Sequence, residues 1–248
     1  MGRSTSGDVV LKISVLIPAY NEESTILELL QLVADQRDKL DLQVIVIDDG
    51  SRDSTPELLA GRPDLYDRLI TQEPNQGKGA AIRAGLAAAS GHYILFQDAD
   101  LEYNPADYER LVYPVQEFGA DVVMGSRMIA PAFTRVHYFW HKVGNRLITF
   151  AFNLLNNTTF TDVYSCYLVY RRELLDADDL RTVGWEQHAE ILSKLVRQSG
   201  VYYEVPISYQ GRTYSEGKKI KAHHVVAVLW TMLTERFKKP LGHRARLS

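Results

Sequence analysis

The chain has 248 residues, 46% apolar and 24% charged, an ordinary globular composition that suffices for one large α/β domain or two small ones. A formal charge of −3, with no basic stripe in a recognisable motif, argues against a nucleic-acid partner. A lone cysteine, Cys166, excludes an internal disulfide, and no apolar run approaches the roughly 20 residues that span a bilayer. Residues 1–8 are small and polar, so we expect a disordered leader rather than a signal peptide.

The first hundred residues alternate apolar runs with helical patterns. Residues 9–17 are nearly continuous in β-branched and aliphatic side chains and predict a central strand, which a helix follows. Further strands are predicted at 42–47, at about 68–71 and at 93–96, with helices between them. This alternation predicts a mostly parallel sheet with right-handed crossovers and helices on its faces.

The strand at 93–96 is followed by two aspartates, Asp98 and Asp100, which strand alternation points the same way. Two carboxylates so close repel each other unless a cation lies between them. Mg²⁺ or Mn²⁺ is the usual cation, because hard divalent ions prefer carboxylate oxygens, and such an ion can hold a departing diphosphate. The alternative is a strand that simply ends in solvent.

Polar residues also follow the other predicted strands, and ligands of parallel α/β sheets bind beyond the carboxyl ends of the strands. The residues at that edge are Tyr20, Asp48, Asp49, Lys78, Asp98 and Asp100. The segment Gly77-Lys78-Gly79 lacks the hydroxyl residue of a P-loop and the third glycine of a dinucleotide fingerprint. Lys78 is therefore either a cation near a phosphate or part of a turn that packs a helix, and the whole edge predicts a nucleotide site.

The second half of the chain is richer in aromatic and basic residues. Residues 136–155 predict a helix with bulky aromatics beside cations, which suits a membrane surface, an amphiphilic substrate or an ordinary core helix with a basic outer side. A strand at 165–171, a helix at 185–198 and an edge strand at 201–209 follow. Residues 211–219 form a basic loop that fits either a lid over phosphates or a plain surface loop.

The last predicted helix, 222–237, leads into a basic tail, 238–248, whose cations suit anionic lipid.

Several motifs occur in a characteristic order. They are Ile17-Pro18-Ala19-Tyr20-Asn21-Glu22, Asp48-Asp49-Gly50-Ser51, Gly77-Lys78-Gly79, Asp98-Ala99-Asp100-Leu101, Gly125-Ser126-Arg127, Thr161-Asp162 and Glu204-Val205-Pro206-Ile207. Together they resemble the family 2 glycosyltransferases of the GT-A fold, in particular the dolichol-phosphate mannose synthases and bacterial polyprenyl-phosphate glycosyltransferases. The resemblance implies a single Rossmann-like α/β domain with a nucleotide-sugar-binding half at 9–127 and an acceptor-binding half at 128–237.

The resemblance also implies roles for individual residues around the donor. Those around the base, ribose and diphosphate are Pro18, Tyr20, Glu22, Asp49, Lys78, Asp98, Arg212 and Lys218. Those that hold Mg²⁺ or Mn²⁺ are Asp98, Asp100 and Glu102, the last at a position where the family often has glutamine.

For the acceptor, the implied phosphate ligands are Arg127, Arg135 and Arg146. The implied catalytic set is Asp98, Asp100, Asp162, Glu186 and Arg127. A polyprenyl phosphate is already anionic and needs no strong base, whereas a hydroxyl acceptor needs a carboxylate to take its proton. Asp162, Glu186 and Glu190 are the candidates for that base.

The expected activity is an inverting, metal-dependent transfer of a hexose from a GDP-mannose- or UDP-glucose-type donor to a polyprenyl or dolichyl phosphate. The alternative acceptor is a hydroxyl in cell-envelope glycan synthesis. A nucleotidyltransferase would show a glycine-rich segment where this chain has Pro18-Ala19-Tyr20, and the intact acidic pair argues against a non-catalytic binding protein.

The membrane-anchored members of the family carry C-terminal spanning helices, which this sequence does not contain. We therefore expect a cytoplasmic protein that lies peripherally on the inner face of the cytoplasmic membrane. The sequence makes no prediction of the oligomeric state.

Overall fold

A computed structural model of the chain describes residues 11–129, 139–211 and 224–238. Its strands are β1 (Lys12–Ala19), β2 (Asp41–Asp48), β3 (Arg68–Thr71), β4 (Tyr93–Phe96), β5 (Val122–Ser126), β6 (Leu168–Arg171) and β7 (Tyr202–Pro206). Its helices are α1 (Ile26–Ala34), α2 (Thr55–Gly61), α3 (Lys78–Ala88), α4 (Tyr108–Phe118), α5 (Phe139–Asn156), α6 (Gln187–Gln198) and α7 (His224–Phe237). The predicted order of elements is confirmed, with ends that shift by a few residues.

Within the described residues the strands form one sheet in the order β3-β2-β1-β4-β6-β5-β7. Neighbouring strands are parallel except at β6, which runs antiparallel to both β4 and β5. The prediction of a mostly parallel sheet is therefore confirmed. The strand that contains Pro206 lies at an edge, as a proline without a backbone N–H favours.

Helices cover both faces of this sheet. Side chains of alternating direction along β1, such as Val15 and Leu16, enter two separate apolar clusters. One cluster includes residues of α1, α2 and α4, and the other includes residues of α3, α5, α6 and α7. Burial on both faces explains why the central strands read as continuous apolar runs.

A buried glutamine fixes the turn that follows β4. Gln97 is fully buried, and its side-chain oxygen accepts hydrogen bonds from the hydroxyls of Tyr108 and Tyr167, each at 2.8 Å. Its amide donates to the carbonyls of Asp98 at 2.9 Å and Tyr103 at 3.4 Å. Helix α4 and the segment before β6 are thereby bonded to the turn that contains Asp98 and Asp100, the acidic pair.

Replacing this glutamine by leucine should destabilise the protein. Gln97→Leu leaves two buried tyrosine hydroxyls without their acceptor, and each buried unsatisfied group costs about 1–3 kcal/mol, so we expect a loss of roughly 2–6 kcal/mol in the free energy of unfolding. Urea unfolding measures this loss. The control is Gln116→Leu at an exposed position of α4, which should stay within about 0.5 kcal/mol of wild type. Equal losses in the two variants would contradict the role of Gln97.

Candidate active site

The carboxyl ends of β1, β2 and β4 meet at one rim of the sheet. Their parallel registers place Ala19 beside Asp48 and Leu16 beside Phe96, so the residues that follow these strands are brought together. Pro18, Tyr20 and Glu22, which the sequence predicts to surround the nucleotide, are all half-buried there. The Glu22 carboxylate accepts a hydrogen bond from the Thr25 hydroxyl at 3.1 Å.

The loop before α3 is held to β2 by Asp49. The buried Asp49 carboxylate accepts hydrogen bonds from the backbone N–H groups of Gln76 at 2.8 Å and Gly77 at 2.7 Å and from the Asn75 amide at 2.9 Å. Gly50 lets the same loop come close, because its φ is +69° and a Cβ there would lie 2.9 Å from the Asn75 nitrogen. Asp49 thus shapes residues 75–79, called the glycine loop below. The predicted hydrogen bond from Asp49 to a base or ribose stays a prediction.

Lys78 lies in this loop, at the first position of α3, and pairs with Asp98 across the rim. Its ammonium forms a direct ion pair with the Asp98 carboxylate. Burial raises the pKa of Asp98, but the Lys78 charge and hydrogen bonds from Lys78 and the Cys166 thiol outweigh it, and the pKa lies below its usual value. The Cys166 thiol stays protonated, because burial and the Asp98 charge raise its pKa. The pair is therefore an ionised carboxylate with a cation beside it.

Asp100 and Glu102, the other two predicted metal ligands, accept hydrogen bonds from neighbouring protein groups. Asp100 accepts a hydrogen bond from the Glu102 backbone N–H at 3.1 Å, and the Glu102 carboxylate accepts one from the Tyr209 hydroxyl at 2.8 Å. Among residues 11–129, 139–211 and 224–238, no three His, Cys, Asp or Glu side chains are grouped so that they could hold a metal ion. Asp98 and Asp100 lie at the predicted place, and a metal on Asp98, Asp100 and Glu102 stays a prediction.

Arg127 and Asp162, which the sequence predicts to lie near the acceptor, form a buried ion pair. The Arg127 side chain donates to the two Asp162 oxygens at 2.6 and 2.8 Å, and its backbone N–H donates at 3.1 Å. Asn145 of α5 donates to the same carboxylate at 2.8 Å, and the Arg127 guanidinium lies 5.0 Å from the ring of Tyr209. Glu204 anchors the pair from β7 by accepting the backbone N–H groups of residues 161–162 at 2.8–3.2 Å.

This pairing bears on the predicted base. Burial raises the pKa of Asp162, and Arg127 with its hydrogen bonds lowers it to a net value below the usual one. With its oxygens bound to Arg127 and Asn145, Asp162 is poorly placed to accept a proton from substrate. Glu190 is likewise paired, with Lys194, while Glu186 is the N-cap residue before α6 and accepts the Gly184 N–H at 3.3 Å.

Arg146 is exposed on α5, and its predicted contact with the acceptor phosphate stays a prediction. Arg135, Arg212 and Lys218 lie outside the described residues, and their predicted phosphate contacts stay predictions.

His188 was missed in the sequence, where nothing distinguishes it from a helix-surface residue. Its Nε2 atom is buried without a hydrogen-bond partner in the described part of the chain, and its ring packs 5.6 Å from that of Tyr164. Burial, and then the Lys78 charge, lower its pKa to about 4, against smaller opposing effects of Asp98 and Asp162. A neutral imidazole therefore lies close enough to Lys78, Asp98 and Asp162 for their charges to act on its pKa.

Known proteins resemble this chain in both sequence and fold. Residues 14–178, about two thirds of the chain, match the family model described as Glycosyl transferase family 2. The chain belongs to glycosyl transferase family 2. This glycosyltransferase is 27% identical over 211 residues to the dolichol-phosphate mannosyltransferase of Pyrococcus furiosus, a match that covers 84% of this chain and 59% of that protein.

Two further comparisons extend the match. The undecaprenyl-phosphate 4-deoxy-4-formamido-L-arabinose transferase of Enterobacter sp. is 30% identical, over 86% of this chain and 64% of that one. The chain thus spans about three fifths of the length of these two relatives. The structure of glucosyl-3-phosphoglycerate synthase from Mycobacterium tuberculosis with Mn²⁺, UDP and phosphoglyceric acid superposes with a TM-score of 0.70 at 23% identity, covering 91% of this chain and 78% of that one. This likeness shows the GT-A fold.

The buried histidine of this glycosyltransferase should make stability depend on pH. Between pH 6.5 and about 4 the unfolded chain binds a proton at His188 that the folded chain does not, so stability falls as the pH drops through this window. The slope is at most about 1.4 kcal/mol per pH unit, and His188→Gln should remove it. Urea unfolding at pH 5, 6 and 7 measures the difference. His92→Gln, at an exposed histidine, is the control, and an unchanged slope in His188→Gln would show the explanation to be wrong.

Proposed function

We propose that this enzyme transfers a hexose from a nucleoside-diphosphate sugar of the GDP-mannose or UDP-glucose type to the phosphate of a polyprenyl or dolichyl lipid. The names of both relatives, a dolichol-phosphate mannosyltransferase and an undecaprenyl-phosphate transferase, support this acceptor class. The observation that carries the proposal is the state of the carboxylates. Asp162 and Glu190, two of the three candidate bases for a hydroxyl acceptor, are held in buried ion pairs, and the third, Glu186, accepts the Gly184 N–H. A phosphate acceptor needs no such base.

In the proposed reaction, an oxygen of the acceptor phosphate forms a bond to the anomeric carbon of the sugar. The bond from that carbon to the donor diphosphate breaks, and its electron pair leaves with the nucleoside diphosphate. Attack in line with the leaving group inverts the anomeric configuration. Lys78, at the rim where the diphosphate charge develops, stabilises the departing group.

Asp98 and Asp100 are the residues that would hold Mg²⁺ or Mn²⁺. The fit is supported by the chemistry of this position, because Asp98 is ionised and already holds a cation, the Lys78 ammonium. Carboxylate oxygens suit both metals. When bound, such an ion supplies charge neutralisation for the leaving diphosphate. Glu102 is a weaker candidate ligand, since Tyr209 donates to its carboxylate.

A hydroxyl acceptor is the second candidate. One observation favours it, the neutral His188, whose buried Nε2 lone pair could take the proton of an attacking hydroxyl.

Loss of one acidic charge at the rim should abolish transfer. Asp98→Asn removes the partner of Lys78 and a proposed metal ligand, so we expect turnover to fall at least about 100-fold with the fold retained. The assay is release of nucleoside diphosphate from UDP-glucose or GDP-mannose with Mn²⁺ and undecaprenyl phosphate, with circular dichroism as a check on folding.

Asp41→Asn, at the exposed amino end of β2 and away from the rim, is the matched control. Retained turnover in Asp98→Asn would count against the metal role. Turnover with a sugar acceptor but none with undecaprenyl phosphate would select the hydroxyl candidate.

We also propose that α5 and α7 rest on an anionic membrane surface. The two helices pack against each other, and each exposes large apolar side chains, among them Trp140, at 76% exposure, and Trp230, at 66%. Exposed cations accompany them at Lys142, Arg146 and Arg236. Aromatic residues beside cations suit the interface of an anionic bilayer. No helix in the described residues is long and apolar enough to cross a membrane, so the proposed contact is with the surface.

Removing one of these tryptophans should weaken membrane binding. Trp230→Ser should lower co-sedimentation with phosphatidylglycerol–phosphatidylcholine vesicles by about fivefold or more, because the apolar area available to the interface shrinks. The control is Tyr113→Ser, an aromatic residue 55% exposed on α4, which packs on the other face of the sheet. Equal binding of Trp230→Ser and wild type would rule out this face as the contact.

A further inference from the structure

The segment 181–184, between the 3₁₀ helix Ala177–Asp179 and α6, lies directly against the glycine loop. The Gly79 N–H donates to the Val183 carbonyl at 3.1 Å. A Cβ on Gly79 would lie 2.5 Å from backbone atoms of Val183, so only glycine permits this approach. The backbone directly after Lys78 is therefore positioned by a segment more than 100 residues away in the sequence.

A single buried amide ties the two segments together. The side-chain nitrogen of Gln187, the first residue of α6, donates to the Gly79 carbonyl at 3.0 Å and to the Thr182 carbonyl at 2.7 Å. Both backbone groups of Gly79 are thus bonded to the 181–187 region, which makes the contact specific in position as well as close.

Glu190 in turn holds the segment 181–184. Its fully buried carboxylate accepts the backbone N–H groups of Arg181 at 3.1 Å and Thr182 at 2.9 Å and the Thr182 hydroxyl at 2.6 Å. The ammonium of Lys194, one helical turn further along α6, contacts the same carboxylate and also the Asp179 carbonyl. Burying an ionised carboxylate is costly, and here its charge is compensated by the Lys194 ammonium and by the N–H and O–H groups of the segment itself.

We propose that Glu190 is a positioning residue of the donor site: it holds the segment 181–184, which fixes the glycine loop and so sets Lys78 against Asp98. The inference rests on the proposed function in one respect, namely that Lys78 meets the donor diphosphate. It differs from the sequence expectation, in which Glu190 was a candidate base. A positioning role requires no contact between Glu190 and substrate.

The test compares Glu190→Gln with a variant that loses a similar set of bonds elsewhere. Asp67→Asn is that control, because Asp67 accepts the Val44 N–H at 2.6 Å and Arg37 at 2.8 Å at the amino end of β3, away from the rim. The first readout is hydrogen–deuterium exchange of the peptide 76–82. We expect exchange there to become at least about threefold faster in Glu190→Gln and to stay unchanged in Asp67→Asn.

The second readout is calorimetric binding of UDP and of GDP, each with Mn²⁺. For the nucleotide that binds the wild type, we expect Kd to rise about 5- to 10-fold in Glu190→Gln, with the KM for acceptor unchanged, because a displaced Lys78 affects only the donor. Thr182→Val, which removes one hydroxyl donor to Glu190, should move both readouts the same way by less, and it serves if Glu190→Gln does not fold.

The outcomes are separable. Unchanged exchange at 76–82 in both Glu190→Gln and Thr182→Val, or equal exchange in the Asp67→Asn control, would overturn the positioning role. Failure of both nucleotides to bind the wild type would refute the proposed function, while the exchange experiment would still decide whether Glu190 positions the glycine loop.

Discussion

Two carboxylates at the end of one buried strand are stable only with positive charge beside them, and the rim of this protein is arranged around that requirement. Lys78 supplies the charge in this structure, against Asp98. The position of Lys78 depends on a loop that Asp49 holds from one side and Val183 from the other. The turn that contains the acidic pair is held by Gln97, whose side chain is hydrogen-bonded to two buried tyrosines. The contacts of Asp49, Val183 and Gln97 therefore all help to position one ion pair, Lys78 and Asp98.

Much of the structure of residues 11–127 was predictable because its sequence signals are local. The continuous apolar run of β4, followed by Asp98 and Asp100, and the regular alternation of strands and helices follow from side-chain periodicity and chain connectivity. The place of β6 was not predictable. Residues 168–171 are apolar or half-buried whether the strand runs parallel or antiparallel, because the sheet is covered on both faces. The sequence pattern therefore contains no sign that β6 inserts between β4 and β5.

The partners of individual side chains were less predictable still. The motif that contains Asp162 indicates a carboxylate near the acceptor, but its bond to Arg127, 35 positions away, exists only after the chain has folded. The same holds for Glu190, whose carboxylate is buried against the backbone of residues 181–182, and for His188, whose Nε2 atom has no hydrogen-bond partner among the described residues. Buried ion pairs such as these are costly to break, since removal of one partner leaves an uncompensated charge.

The antiparallel strand also affects how the family can diversify. Because β5 and β6 are antiparallel neighbours, the chain between them leaves the sheet and returns to it at the same edge, where the donor is expected to bind. This connection contains α5, whose Ile148 and Phe152 pack in the core, so its free variation is confined to exposed positions, where it leaves the order of the strands unchanged. Substitutions at those exposed positions would alter the surface beside the proposed acceptor while the strands that carry the proposed donor site keep their places.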